Sequence, residues 1–185
     1  AWSIFLHTHL VLIGIGSLEL RSHAVLAKVA LASAALIALI ALYAFLIEPR
    51  RLEVSQVTIP SSKVADPIRV VVIADVQTDR PGDYEARVFE TAMAQAPDLI
   101  LFAGDYIHLG HRSRGYEAEV AALNDLLVES ELAAPLGIYA IAGNVDRSGD
   151  WTRAFTGLEA MTIEETASYD LGPVALTGLA LHDAF

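Results

Sequence analysis

Three apolar runs in this chain are each followed at once by oxygen-bearing side chains. Val70-Val71-Val72-Ile73-Ala74 leads into Asp75-Val76-Gln77, and Leu99-Ile100-Leu101-Phe102-Ala103 into Gly104-Asp105. Ile138-Tyr139-Ala140-Ile141-Ala142 leads into Gly143-Asn144-Val145-Asp146. One Asp after a strand is ordinarily a helix cap or a turn residue. Three such ends in order, two of them opened by a glycine that lets the backbone turn and approach a ligand, are hard to explain as caps. Asp75, Gln77, Asp105 and Asn144 are therefore candidate ligand-binding positions, and some of the chain's carboxylates could converge on cations.

Those residues need a scaffold that ends several strands side by side. Continuous β-branched or apolar runs over 69–74, 98–103 and 137–142 predict buried strands. Helical spacing over 83–96 places Val88, Phe89, Ala92 and Met93 on one side, and spacing over 116–132 does the same for Val120, Leu123, Leu126 and Leu127. A short helix is expected over 151–158 and a later strand over 174–181. Alternation of Leu52, Val54, Val57 and Ile59 suggests a first extended strand ended by Pro60. Strands alternating with helices predict an α/β domain with a largely parallel sheet, whose ligands bind beyond the carboxyl ends of the strands.

The N-terminal part is different in kind. The chain is 54% hydrophobic, yet only Glu19 and Glu48 of its 23 acidic residues precede Leu52. The stretch 24–47 has Lys28 as its only charge, and as a helix it would span roughly 36 Å, enough for a hydrocarbon core of about 30 Å. Residues 1–51 are thus expected to be a membrane region, with a partial span over 1–20, a turn at 21–23 and a transmembrane helix over 24–47. His7 and His9 would sit at an interface, with a functional role within the membrane as the alternative, Pro49 would stop the helix, and Arg50 and Arg51 would lie at headgroup level. Arg21 and Lys28 at one end balance Arg50 and Arg51 at the other, which leaves the side of the membrane unresolved. Residues 52–185 form the second part and carry an acidic excess, a poor match to a nucleic-acid backbone. With no cysteine in the sequence, disulfides, thiolate metal sites and cysteine nucleophiles are excluded.

The three blocks resemble the calcineurin-like metallophosphoesterase family, whose motifs read Asp-x-His, Gly-Asp and Gly-Asn-His-Asp/Glu. The apolar lead-in and Glu48-Pro49 are similar to its bacterial membrane-anchored members. The resemblance implies a β-sandwich flanked by helices, incomplete here and preceded by transmembrane helices. It also implies two divalent metal ions (Mn, Mg, Fe or Zn, with Mn favoured) and a phosphate ester substrate. Asp75 and Gln77 would help hold the first metal, Asp105 would bridge the two, and Asn144 would bind the second. A hydroxide between the metals would attack a phosphomonoester or phosphodiester. Asn144 and Asp146 are the candidate catalytic positions, Asp146 more as a turn cap that orients Asn144 than as an acid. The bacterial cell membrane is the implied location.

The sequence departs from the family at three places. Gln77 stands at a His position, which predicts a shift toward Mn²⁺ or Mg²⁺. Val145 stands where the family has the His that helps the leaving group depart, and valine cannot donate a proton. His108 and His111 are nearby in sequence and could serve instead. The family's later His and Gly-His-x-His blocks are absent, since His182 in Leu181-His182-Asp183 does not match them. The sequence is therefore expected to be a piece of a longer protein, binding metal weakly and hydrolysing little by itself. A catalytically impaired binding module is the alternative reading. No Gly-x-Gly-x-x-Gly, phosphate-cradling Lys loop or Gly-x-Ser-x-Gly elbow supports a nucleotide-binding domain or a serine hydrolase.

Overall fold

The computed structural model describes residues 7, 10–14, 24–48, 51–78, 80–110, 112–146, 150–180 and 182–183. The chain divides into two compact units, Ala1–Gln56 and Val57–Phe185. In the first, helix α1 spans Ala24–Leu42 and continues through a π-helical turn, Tyr43–Ile47. That turn closes with the Glu48 N–H donating to the Tyr43 carbonyl. Ala24–Ile47 is the one helix among the described residues long and apolar enough to cross a membrane. Its many alanines and leucines favour helix. Ala27, Ala30 and Ala34 are buried at helical spacing along one stripe. His7 and residues 10–14 are helical. The rest of the expected partial span, the turn at 21–23, His9, Pro49 and Arg50 lie outside the described residues.

The expected first strand over 52–59 does not form. Residues 51–61 join no ladder, and Val57 and Ile59 are each 83% exposed. Alternation suits a chain to a sheet, but a strand exists only when a neighbour supplies the hydrogen bonds, and here none does among the described residues.

The second unit runs β1 (Val70–Ile73), α2 (Asp83–Ala94), β2 (Leu99–Phe102), α3 (Tyr116–Glu129), β3 (Ile138–Ile141), β4 (Ala160–Ile163), β5 (Ala167–Asp170) and β6 (Ala175–Gly178). Strands β1 to β4 form one parallel sheet in sequence order. Parallel neighbours need a crossover, which α2 and α3 supply. The strand row Ile73, Phe102 and Ala140 and the row Ile100 and Ile138 pack with Phe89, Val120, Leu123 and Leu127 of the helices in one core. The opposite face carries Val72 and Tyr139. There the antiparallel pair β5–β6 approaches, with Tyr169 5.5 Å from Tyr139 between ring centroids and Gly178 against Ile163.

Both helices begin where the sequence predicts and end earlier. Their chains turn left-handed at Ala96 (φ 50°) and Glu131 (φ 48°), which stops helical hydrogen bonding. The expected helix over 151–158 is a 3₁₀ turn, Trp151–Phe155. Asn124 of α3 fixes its end by donating to the carbonyls of Ala154 and Thr156 (2.9 and 2.8 Å). The expected strand over 174–181 is shorter, and β4 and β5 come before it.

Candidate metal centre

All three oxygen-bearing segments lie at the carboxyl ends of adjacent parallel strands, β1, β2 and β3. Their loops are stitched together by backbone hydrogen bonds. Asp75 N–H donates to the Gly104 carbonyl (3.2 Å), Gln77 N–H to Asp105 (2.8 Å) and Thr78 N–H to Tyr106 (3.2 Å). The path is strained at the expected ligands themselves. Asp75 (φ 53°), Gln77 (φ 34°) and Asp105 (φ 59°) all take up the left-handed region that side chains disfavour. Such strain persists only where surrounding contacts over-determine it, and it concentrates at ligand sites.

The loops after β2 and β3 meet glycine to glycine. A Cβ on Gly104 would lie 2.2 Å from the Gly143 nitrogen, and one on Gly143 would lie 2.3 Å from Asp105 Oδ1. No other residue fits either place. Across this contact two carboxylates exchange bonds. Asp146 accepts from the N–H groups of Asp105 (2.6 Å), Gly143 (2.8 Å) and Tyr106 (3.1 Å). Asp105 Oδ1 accepts from the Val145 N–H (2.7 Å). Burial pushes the Asp146 carboxyl above its ordinary range, the three N–H donors pull it back, and the nearby Asp105 raises it again. Beneath the loops, buried Tyr106 donates its hydroxyl to the Ile141 carbonyl (2.7 Å) and stacks on Trp151 at 5.7 Å. Burial raises the pKa of that phenol far above the usual range, so it acts only as a neutral donor.

Gln77 stands between the two carboxylates of the set. Its Nε2 donates to Asp105 Oδ2 (3.3 Å) and lies 3.5 Å from Asp75 Oδ1. Asp75, Asp105, Gly143 and Asn144 border one cavity of about 650 Å³, whose remaining wall is mainly apolar side chains of the sheet and β6. Asn144 is exposed and Val145 half-buried.

The structure thus gathers Asp75, Gln77 and Asp105 directly and sets Asn144 on the same cavity. Asp146 caps the Gly143 turn, as expected, and also reaches the loop after β2, which its position did not announce. His108 is exposed, and its N–H donates to the Thr78 carbonyl. His111 lies outside the described residues. His182 is exposed and 3.5 Å from the Asp183 carboxylate. Among the described residues no group of three or more His, Cys, Asp or Glu side chains could hold a metal ion by itself. The four candidate donors are two carboxylates and two amides, whose oxygens suit an oxygen-preferring cation.

The family model for calcineurin-like phosphoesterases matches residues 68–182. The chain belongs to this family. Among curated proteins no significant match is found. The match begins two residues before β1 and takes in every strand of the calcineurin-like phosphoesterase domain. Members of this family are metal-dependent hydrolases of phosphate esters and in general use two divalent metals. The three stitched loops of this phosphoesterase all fall within the matched residues.

Proposed function

We propose that the chain is a membrane-anchored phosphoesterase whose cations are held by Asp75, Gln77, Asp105 and Asn144 and whose substrates are phosphomonoesters or phosphodiesters. The observation that carries this reading is the meeting of Asp75, Gln77 and Asp105 across two adjacent strand ends, with strained backbone at all three. Divalent cations, when bound, supply Lewis acidity and an activated oxygen nucleophile. Oxygen donors favour Mn²⁺ or Mg²⁺, with Mn²⁺ first.

The chain's own residues do the rest. Asp105 carries its two oxygens to different partners, one toward Gln77 and one toward the Val145 N–H, so its carboxylate plane is fixed. Asp146 is a positioning residue. Its bonds to three N–H groups hold the Asp105 and Gly143 loops in register, and both oxygens are spent on that task. Asn144 presents an amide to the cavity. Val145 offers the departing group no proton, so turnover favours esters with acidic leaving groups. Helix Ala24–Ile47 supports anchoring, in a bacterial cell membrane by the likeness of the sequence to anchored members.

A second reading, a binding module with weakened catalysis, is favoured by the same Val145 and by the amide that Gln77 puts between its carboxylates. Hydrolysis of p-nitrophenyl phosphate and its bis ester with Mn²⁺, Mg²⁺ and Zn²⁺ separates the two. The enzyme reading expects Asp105→Asn to remove most of the metal-dependent rate. A wild type no faster than Asp105→Asn with any of the metals refutes it.

A further inference from the structure

The amide of Gln77 has two faces of opposite chemistry, and the structure turns the donating one to both carboxylates. Nε2 lies 3.3 Å from Asp105 Oδ2 and 3.5 Å from Asp75 Oδ1. The side chain is aimed there by its backbone. Its own N–H is bonded to the Asp105 carbonyl at 2.8 Å, the next N–H to Tyr106, and φ at Gln77 is left-handed. An amide oxygen between two carboxylates would be repelled, so without a cation the nitrogen must face them. With a cation between them the preference inverts, because only Oε1 can coordinate. The cation must therefore displace an N–H group and turn the amide over, giving up its hydrogen bonding to charged acceptors. A histidine pays no such cost, since the same ring nitrogen can present a lone pair without rotation.

Resting on the phosphoesterase reading above, we propose that Gln77 fills the position between Asp75 and Asp105 with its own amide in the cation-free protein. The two cation positions then load in sequence. The one shared by Asp105 and Asn144 takes the first ion, and the Asp75–Gln77 position takes an ion only when the amide turns. The separation expected in affinity is about tenfold or more, the scale of one lost hydrogen bond to a charged group.

Titration of the full chain in detergent with Mn²⁺, followed by electron paramagnetic resonance, reads this directly. Wild type should show the hyperfine pattern of an isolated ion at the first equivalent and an exchange-coupled pair only in excess Mn²⁺. Gln77→His should reach the coupled pair with little separation between the two affinities. Gln77→Glu keeps the size of the side chain but puts a third carboxylate beside the other two. It should lower the melting temperature without metal and gain more from Mn²⁺ than wild type gains. A coupled pair forming in wild type from the first equivalent overturns sequential loading and leaves the phosphoesterase reading intact. A cation-free Gln77→Glu as stable as wild type also overturns it. Failure of both wild type and Gln77→His to bind any Mn²⁺ removes the metal reading and this inference with it.

Discussion

Replacing Gly143 by alanine puts a methyl group where Asp105 already stands. The added carbon would lie 2.3 Å from Asp105 Oδ1, 2.5 Å from its backbone nitrogen and 2.6 Å from Cγ. Ordinary carbon contacts need roughly 3.5 Å, so the loops after β2 and β3 must part by about 1 Å. One clashing atom is backbone, and the Asp105 carboxylate is held by the Val145 N–H. Parting strains the bonds that cross the contact, Asp105 N–H to Asp146 (2.6 Å) and Val145 N–H to Asp105 (2.7 Å). Hydrogen bonds to charged groups contribute about 1.5–3 kcal/mol each, so losing two costs about 3–6 kcal/mol. That is a large part of a typical domain's stability of about 5–15 kcal/mol. Thermal unfolding in detergent, followed by near-ultraviolet circular dichroism, should show a fall of roughly 10 °C or more. Metal-dependent hydrolysis should drop about a hundredfold, the usual consequence of an ångström's misplacement. Gly157→Ala is the control. Its φ is +83° but nothing lies within 4 Å of the added carbon, so it should cost only about 1–2 kcal/mol and leave hydrolysis intact. A Gly143→Ala protein as stable as Gly157→Ala would refute the close packing of the two loops.

Three further outcomes are expected. Asp146 is raised above its ordinary 3.8, burial outweighing its three N–H donors. An acid raised on folding holds its proton more tightly when folded, so its contribution is full below 3.8 and is lost as pH rises through the raised value. A carboxyl-carbon titration by nuclear magnetic resonance that puts Asp146 at or below 3.8 contradicts this. Tyr106→Phe leaves the Ile141 carbonyl without its hydroxyl donor and should cost about 1–3 kcal/mol, measured by the same melting assay. Val145→His restores a proton donor and should raise turnover on alkyl phosphates more than on p-nitrophenyl phosphate, and a general loss of activity would show that the pocket cannot take the ring.

The strand ends that carry the candidate ligands were legible because the strands are short apolar runs that stand out. The starts of α2 at Asp83 and α3 at Tyr116 were legible from the helical spacing of their apolar residues. Their ends were not, because Ala96 and Glu131 turn left-handed without the glycine or asparagine that usually marks such a stop. Residues 52–59 misled because alternation reports a suitable surface but carries no information about a partner strand. Strand β5, Ala167–Asp170, has no apolar run and among the described residues pairs only with β6, so it left almost no trace. Within the site, the reach of Asp146 to a loop 41 residues earlier and the amide of Gln77 between two carboxylates depend on loop geometry. Residue type and spacing do not encode that geometry.

The glycine-to-glycine contact also bears on the order in which the chain becomes organised. Gly104 and Gly143 are brought together only after β2 and β3 are aligned, because the local bonds between Gly143 and Asp146 shape one turn but do not reach Gly104. Closing that separation costs entropy before any of the carboxylate bonds can offset it. Helices α2 and α3 and the parallel strands must therefore form first, and the cavity rim is among the last parts to set. Hydrogen exchange should find the N–H groups of Asp105, Gly143 and Val145 opening together, and opening sooner than those of β2.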